Sequence, residues 1–259
     1  MKANYHTHTF RCKHAGGTEK DIVDAGIAAG LDELGFSEHI GYPDHDYGLR
    51  IDYDAIREYL TTIDRLQECN RGKIVLRKGF EAEYLPQYRD YYEKLLSDGE
   101  IDYLILGAHF CECEGGVTKN IFLAEDTDSY IDYAKNVAAG MATGIYKYAA
   151  HPDLFMVNDY GWDINCDRAT DIILDAAVKN DVIIEYNANG IRRCPIDIPY
   201  EERELYPHRN FWERVRTTDL RVIVGSDSHG AEHLWDAYVA KAFRELENLG
   251  IKPLDHLDF

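Results

Sequence analysis

Two short stretches of the chain carry side chains that bind cations. "NYHTHTF" sets His6 and His8 two residues apart near the start, and "VIVGSDSHG" sets Asp227 and His229 two apart near the end. Residues two apart in an extended segment point to the same side, so each pair can hold one ion. Imidazole with carboxylate suits Zn, Mn or Fe. The same residue types recur between them, as His39 in "SEH", Glu81 in "GFE", His109 in "GAH" and His151 in "AHPD". A lone histidine is more often a solvated polar group than a ligand. Here, of 11 histidines, only His45, His208, His233 and His256 look scattered, while His14 lies in a loop just past the first run. The set predicts a centre of two or three divalent transition-metal ions.

Residues so far apart in sequence need a fold that gathers them. Each one ends, or directly follows, a short apolar run of strand character: 3–6, 33–39, 74–81, 103–109, 146–151, 182–187 and 221–227. Helix-period segments alternate with these runs, at 18–30, 54–72, 87–99, 128–144, 167–180, 211–218 and 232–250. The first begins on a Thr18 cap with Asp21 three residues later and ends on Gly30. Strand alternating with helix implies parallel pairing through crossover helices. With no linker or low-complexity break, residues 1–259 read as one α/β domain, a TIM-like barrel of parallel strands inside helices. An open doubly wound sheet is the structural rival, but no Gly-x-Gly-x-x-Gly follows the first strand. In a parallel barrel all strand ends meet on one face, which carries the active site. The sixth run ends Glu185-Tyr186-Asn187, polar groups less typical of a tight metal site.

A net charge of -19, from 47 acidic and 28 basic residues, argues against nucleic acid or an anionic membrane as partner. It leaves a small phosphorylated metabolite open, because bound ions reverse the local field. The start "MKANYHTHTF" lacks an apolar signal segment and no stretch reaches membrane-spanning length, so a cytoplasmic location is expected. The 6 cysteines are scattered and read as reduced thiols, with "CEC" at 111–113 a weak metal candidate. Most of the 19 tyrosines read as helix packing; a dimer surface is equally open, so the oligomeric state is left unassigned.

Paired ions about 3.5–4 Å apart suit in-line displacement at phosphorus, activating a water and clamping phosphate oxygens. Glu81 has the two oxygens that bridging needs, and Asp227 can bind an ion and accept a hydrogen bond from the nucleophile. "NANGIRRCP" places Arg192 and Arg193 just past the sixth strand, on the catalytic face, where a guanidinium can hold phosphate. No Ser-His-Asp or Cys-His arrangement stands apart from these histidines.

Taken in order, "HTHTF", "SEH", "GFE", "GAH", "AHPD" and "GSDSH" resemble the successive motifs of the polymerase and histidinol phosphatase (PHP) family, over residues 6 to 229. "SEH" followed by "GYPDHDYG", together with "GFEAEY", resembles the histidinol-phosphatase branch. The resemblance implies a distorted (β/α)7 barrel and a trinuclear site. Its ligands would be His6, His8, His14, His39, Glu81, His109, His151, Asp227 and His229. His14, in the loop "RCKHAGG", enters on the resemblance alone, and Arg192 takes the position of the branch's arginine. Glu83 is a rival to Glu81, Glu38 points away from His39 along the strand, and Asp153 has either an orienting or a turn role. The implied activity is hydrolysis of L-histidinol phosphate in histidine biosynthesis by metal-activated hydroxide. The alternatives are a PHP phosphoesterase for a nucleotide or phosphotyrosine, an amidohydrolase-type metal hydrolase, which also opens on His-x-His, or a metal-dependent binding protein.

Overall fold

The computed structural model describes residues 1–113 and 117–259, except for the side chains of 112, 113 and 117. The strands are β1 (Ala3–Asn4), β2 (Glu33–His39), β3 (Val75–Ala82), β4 (Tyr103–Leu106), β5 (Phe110–Cys113), β6 (Val117–Asn120), β7 (Tyr148–Ala149), β8 (Ile183–Asn187) and β9 (Val222–Gly225). Seven of them form one sheet in the order β1-β2-β3-β4-β7-β8-β9, with every neighbouring pair parallel. Between β9 and β1 the ring is nearly closed by a single parallel bridge, Thr7 to Ser228. There His8 N–H donates to the Ser228 carbonyl at 2.9 Å, and Asn4 Oδ1 accepts from Ser226 N–H at 2.9 Å. The expected TIM-like barrel is therefore present.

The helices are α1 (Glu19–Ala28), α2 (Ile56–Cys69), α3 (Arg89–Ser97), α4 (Ser129–Met141), α5 (Ile164–Asn180), α6 (Ala188–Arg192), α7 (Arg209–Val215) and α8 (Ala237–Asn248). Thr18 and Asp21 form the expected capping box at α1. None of the described helices is long and apolar enough to cross a membrane.

Side-chain alternation divides the buried residues into two groups. Leu34, Phe36, Leu76, Phe80, Leu104, Ile184, Tyr186 and Val224 face outward and pack with helix residues such as Ile22, Tyr59, Val137, Ile173 and Leu246. Tyr5, Tyr103, Ile105, Tyr148, Ile183, Ile223 and Leu257 form a separate cluster inside the barrel. Each such side chain, once buried, stabilises the fold by roughly 1.5–3 kcal/mol. Continuing the inward parity, Ile183 leads to Glu185 and Asn187, and Ile223 leads to Gly225 and Asp227. The interior thus changes from apolar to ionisable toward the strands' C-terminal ends.

Four strands stop short of where the sequence suggests: β1 at Asn4, β4 at Leu106, β7 at Ala149 and β9 at Gly225, so His6, His109, His151 and Asp227 sit just beyond the sheet. His151 (φ 27°) and Asp227 (φ 45°) both adopt left-handed backbone. For residues with a Cβ that conformation costs on the order of 1–3 kcal/mol and tends to collect at functional sites. The antiparallel β5–β6 hairpin was not expected. The side chain of Cys113, half of the "CEC" candidate, lies outside the described residues.

Candidate metal centre

Glu81 and Asp227 occupy the middle of the catalytic face. Glu81 Oε2 lies 3.3 Å from His6 Nε2, 3.4 Å from His8 Nε2 and 3.0 Å from His39 Nδ1. Its Oε1 lies 2.8 Å from His151 Nε2 and 3.5 Å from His109 Nε2. Asp227 Oδ1 is 3.3 Å from His8 Nε2, 3.4 Å from His229 Nδ1 and 3.6 Å from His6 Nε2. His14 and His229 meet Nε2 to Nε2 at 2.9 Å. Every residue expected as a ligand is therefore in this one cluster. Within it, His6–His8–Glu81, His6–His151–Asp227, His39–Glu81–His109 and His14–His39–His229 each bring ligand atoms within 4.8 Å of one another.

Around the cluster lies a layer of acceptors, largely unforeseen. Glu185 Oε1 accepts from His6 Nδ1 at 2.7 Å, Glu83 Oε1 from His109 Nδ1 at 3.0 Å and Glu38 Oε1 from His8 Nδ1 at 3.3 Å. Backbone carbonyls do the same for His14 (Cys12 O, 2.9 Å) and His229 (Asp227 O, 3.2 Å). An acceptor at Nδ1 fixes the proton there and leaves the Nε2 lone pair facing the cluster. Glu83 also takes the His109 and Phe110 N–H groups at 2.8 and 3.0 Å and pairs with Arg50. Its oxygens are thus engaged away from the centre, and Glu81 is the carboxylate of β3 that faces it. Glu38 does point away from His39, as strand parity requires. It reaches His8 because that residue comes from the neighbouring segment. Glu185 was set aside as untypical, yet it is fully buried and also holds His151 N–H (3.1 Å) and Asn187 Nδ2 (2.9 Å).

Two motif glycines follow from this crowding. A Cβ at Gly225 would lie 1.6 Å from Glu185 Oε1, and one at Gly107 would lie 2.4 Å from Glu81 Oε1. The carboxylates fill the space a side chain would need.

The donors fit divalent transition metals. His6 Nε2, His8 Nε2 and Glu81 Oε2 are buried and lack hydrogen-bond partners, a costly arrangement for a protein that holds nothing there. Burial raises the pKa of Glu81, but His109, His39, His6 and a hydrogen bond from His151 outweigh it and hold the carboxyl well below its usual range. Asp227 is held down against burial in the same way, by His6, His8 and His229. Burial lowers the pKa of His6, yet Glu185, Asp227 and Glu81 carry it well above the ordinary imidazole value. His229 is instead pushed down to about 4 by burial and by His8. The cluster is an anionic centre ringed by imidazoles. Cys12 is nearby as well, but burial pushes its thiol up, so it stays protonated.

A cavity of about 500 Å³ opens above the cluster. His14, His39, His109, His151, Asp227 and His229 form its floor, while Tyr47, Phe110, Phe122 and Tyr206 supply aromatic walls. Arg193 lines it, stacked over Phe122 and Tyr206 at 5.7 and 5.6 Å and donating through Nε to the Tyr206 hydroxyl at 3.1 Å. Arg192, expected to hold phosphate from the position of the branch's arginine, does not line it. Its guanidinium is engaged by Asp236 (2.8 Å), the Ser226 carbonyl (2.5 Å) and the His233 carbonyl (2.7 Å). The reason is the short helix α6: successive helical residues point about 100° apart, so neighbouring arginines face different ways. Sequence reasoning missed Arg50, which also lines the cavity. Asp153 holds no ligand of the cluster and lies in the turn after His151. It is buried and accepts from His208 N–H (2.7 Å) and Trp212 Nε1 (3.1 Å), tying down the start of α7.

The family model of the PHP domain matches residues 4–189. The chain belongs to the PHP family. A protein of Deinococcus radiodurans named probable histidinol-phosphatase is 26% identical over 252 residues, covering 95% of this chain and 92% of its own. The histidinol-phosphatase of Bacillus subtilis is 21% identical, covering 93% of this chain and 98% of its own. A crystal structure of histidinol phosphate phosphatase from Lactococcus lactis, complexed with zinc, L-histidinol and phosphate, superposes with a TM-score of 0.75 at 19% identity. It covers 100% of this chain and 99% of that one.

Proposed function

We propose that this PHP protein is a metal-dependent phosphomonoesterase and that its substrate is L-histidinol phosphate. One observation carries the reaction class: buried, partnerless imidazole and carboxylate atoms converge on Glu81 at the floor of a cavity that also holds arginine. The substrate rests on the relatives named above, two of them histidinol-phosphatases spanning nearly the whole chain. His6, His8, His14, His39, Glu81, His109, His151, Asp227 and His229 would hold two or three divalent ions. Ions bound there supply Lewis acidity at phosphorus and neutralise charge on its oxygens.

This chain's own groups do the positioning. Glu185, Glu38 and Glu83 keep His6, His8 and His109 in one tautomer, so the donors need no rearrangement as charge shifts. Asp227 Oδ2 is held by Asn187 and Asn189 at 3.2 and 3.1 Å, leaving Oδ1 turned into the cluster. Arg193 meets the phosphate charge from the wall. Tyr47, Phe110, Phe122 and Tyr206 line the space beside the leaving group, which suits a planar imidazole. A phenol would stack equally well, so an aryl phosphate is the second reading.

The test is phosphate release by metal-loaded protein from L-histidinol phosphate, beside nucleotides, sugar phosphates and phosphotyrosine. The expected kcat/KM for histidinol phosphate is on the order of 10⁴ M⁻¹s⁻¹ or above, with the panel far lower. Preference for another ester would keep the phosphatase and overturn the substrate. No release from any ester by fully loaded protein would overturn the phosphatase.

A further inference from the structure

Arg50 follows β2 in the segment "GYPDHDYGLR" and is only 4% exposed, yet it lines the cavity above the cluster. Its Nη2 pairs with Glu83, the carboxylate that fixes both the backbone and the ring of His109. Its Nε and Nη1 have no hydrogen-bond partner. The guanidinium is flanked by Phe110 and Tyr42 at 5.3 and 5.6 Å from the ring centroids. These faces desolvate it without consuming its N–H groups. A guanidinium cannot lose its charge, and burying N–H groups of a cation without acceptors is expensive. Glu83 engages Nη2 alone; Nε–H and Nη1–H lie on different edges of the guanidinium, so each is open to an acceptor oxygen of its own.

We propose that Arg50 is a phosphate-binding residue of this site, donating to an oxygen of a phosphate monoester or of the free phosphate product from an N–H that Glu83 leaves open. This deepens the phosphomonoesterase reading and rests on it for the identity of the anion. Arg50 and Arg193 then supply two cationic contacts, from separate parts of the cavity lining. Arg50 also connects the phosphate to His109 through Glu83.

The decisive measurement is binding of inorganic phosphate to metal-loaded protein by calorimetry, with metal content determined in parallel, for wild type, Arg50→Ala, Arg50→Lys and Arg193→Ala. Loss of charge-assisted hydrogen bonds should weaken phosphate binding roughly 30-fold in Arg50→Ala. Metal content should be unchanged, Arg50→Lys intermediate, and methylguanidine should partly restore binding to Arg50→Ala. Wild-type phosphate affinity in a fully loaded Arg50→Ala protein would overturn the proposal. So would loss of metal in both Arg50 variants with unchanged phosphate affinity per loaded site, since Arg50 would then serve only as the counter-charge of Glu83. Arg50-dependent phosphate binding by a protein that hydrolyses no ester would uphold the contact and sink the phosphatase reading. Absence of phosphate binding by loaded wild type would overturn the contact.

Discussion

At one end of the barrel interior Tyr5, Tyr103, Ile105, Tyr148, Ile183 and Ile223 fill the lumen; at the other, a few residues further along the same strands, Glu81, Glu185 and Asp227 face a ring of histidines. At the first end the Tyr5 and Tyr103 hydroxyls are partnered. The Tyr103 hydroxyl is within hydrogen-bond reach of the Tyr5 and Phe36 carbonyls at 2.8 and 3.0 Å, and the Tyr5 hydroxyl accepts from Leu257 N–H at 3.1 Å. The Phe259 ring lies 5.6 Å from both tyrosines. At the second end His6 Nε2, His8 Nε2 and Glu81 Oε2 are just as buried and lack partners. Equal burial with opposite satisfaction separates an end that stabilises the fold from an end poised to bind. Parallel barrels divide their labour in this way.

The comparison breaks most visibly at Glu81. Glu81→Gln removes one charge from the point where His6, His8, His39, His109 and His151 converge. The expected outcome is a fall in phosphatase kcat/KM of at least about 10³-fold, the scale of losing one transition-state-stabilising group, with lowered metal content. The metal-free protein should still unfold cooperatively. Wild-type activity with full metal in this variant would erase the distinction between the two ends.

Gly225→Ala probes the layer beneath. The new Cβ would meet Glu185 Oε1 at 1.6 Å, and Glu185 is pinned by His6, His151 and Asn187. Metal affinity should fall about 10- to 100-fold, the usual cost of disturbing a group that orients a ligand. Competition with a chelator measures it. An unchanged affinity would show that Glu185 does not set His6.

Tyr103→Phe tests the opposite end. It removes a hydroxyl from the buried apolar end of the barrel and should cost about 1–3 kcal/mol of unfolding free energy, read from urea denaturation. Phosphatase kcat/KM should stay within about threefold of wild type. A large activity loss at unchanged stability would mean that the apolar end also serves the chemistry.

How much of this the sequence shows follows from periodicity. Ligands that end strands, such as His39 and Glu81, are legible because a run of period two fixes both where a strand stops and which side its residues face. Glu185 obeys the same parity as Asp227, but its role is to hold His6, and no local pattern separates a ligand from the residue that orients it. Glu38 is harder still, since it acts on a histidine of the adjacent segment and only strand neighbourhood reveals that. Arg192 and Arg193 were ranked by position, whereas α6 sets them on different faces of a turn too short to detect. Arg50 lies in a segment without periodicity, and its place is decided by Glu83, Tyr42 and Phe110, all brought to it by the fold.

The smallest expected effect asks whether acid sensitivity belongs to the metal face alone. His208 precedes α7, is fully buried, stacks on Trp162 at 4.7 Å and accepts from Asn210 N–H through Nδ1 at 3.2 Å. That bond requires an unprotonated Nδ1. Burial, with Arg209 and Arg203, pushes its pKa down to about 4, against about 6.5 in an unfolded chain. A histidine depressed in the fold excludes a proton that the unfolded chain takes up. Its contribution is therefore complete above pH 6.5 and is lost as pH falls toward 4. Between pH 7.5 and 5 this amounts to about 2 kcal/mol. His208→Asn keeps a capping side chain and removes the titration. The metal-face groups titrate in both proteins, so the wild-type stability minus that of the variant isolates His208, provided the sites do not couple. That difference should decline by about 2 kcal/mol over this interval in chelator-treated protein followed by urea unfolding. A difference that stays flat with pH would place the acid sensitivity of the fold on the metal face.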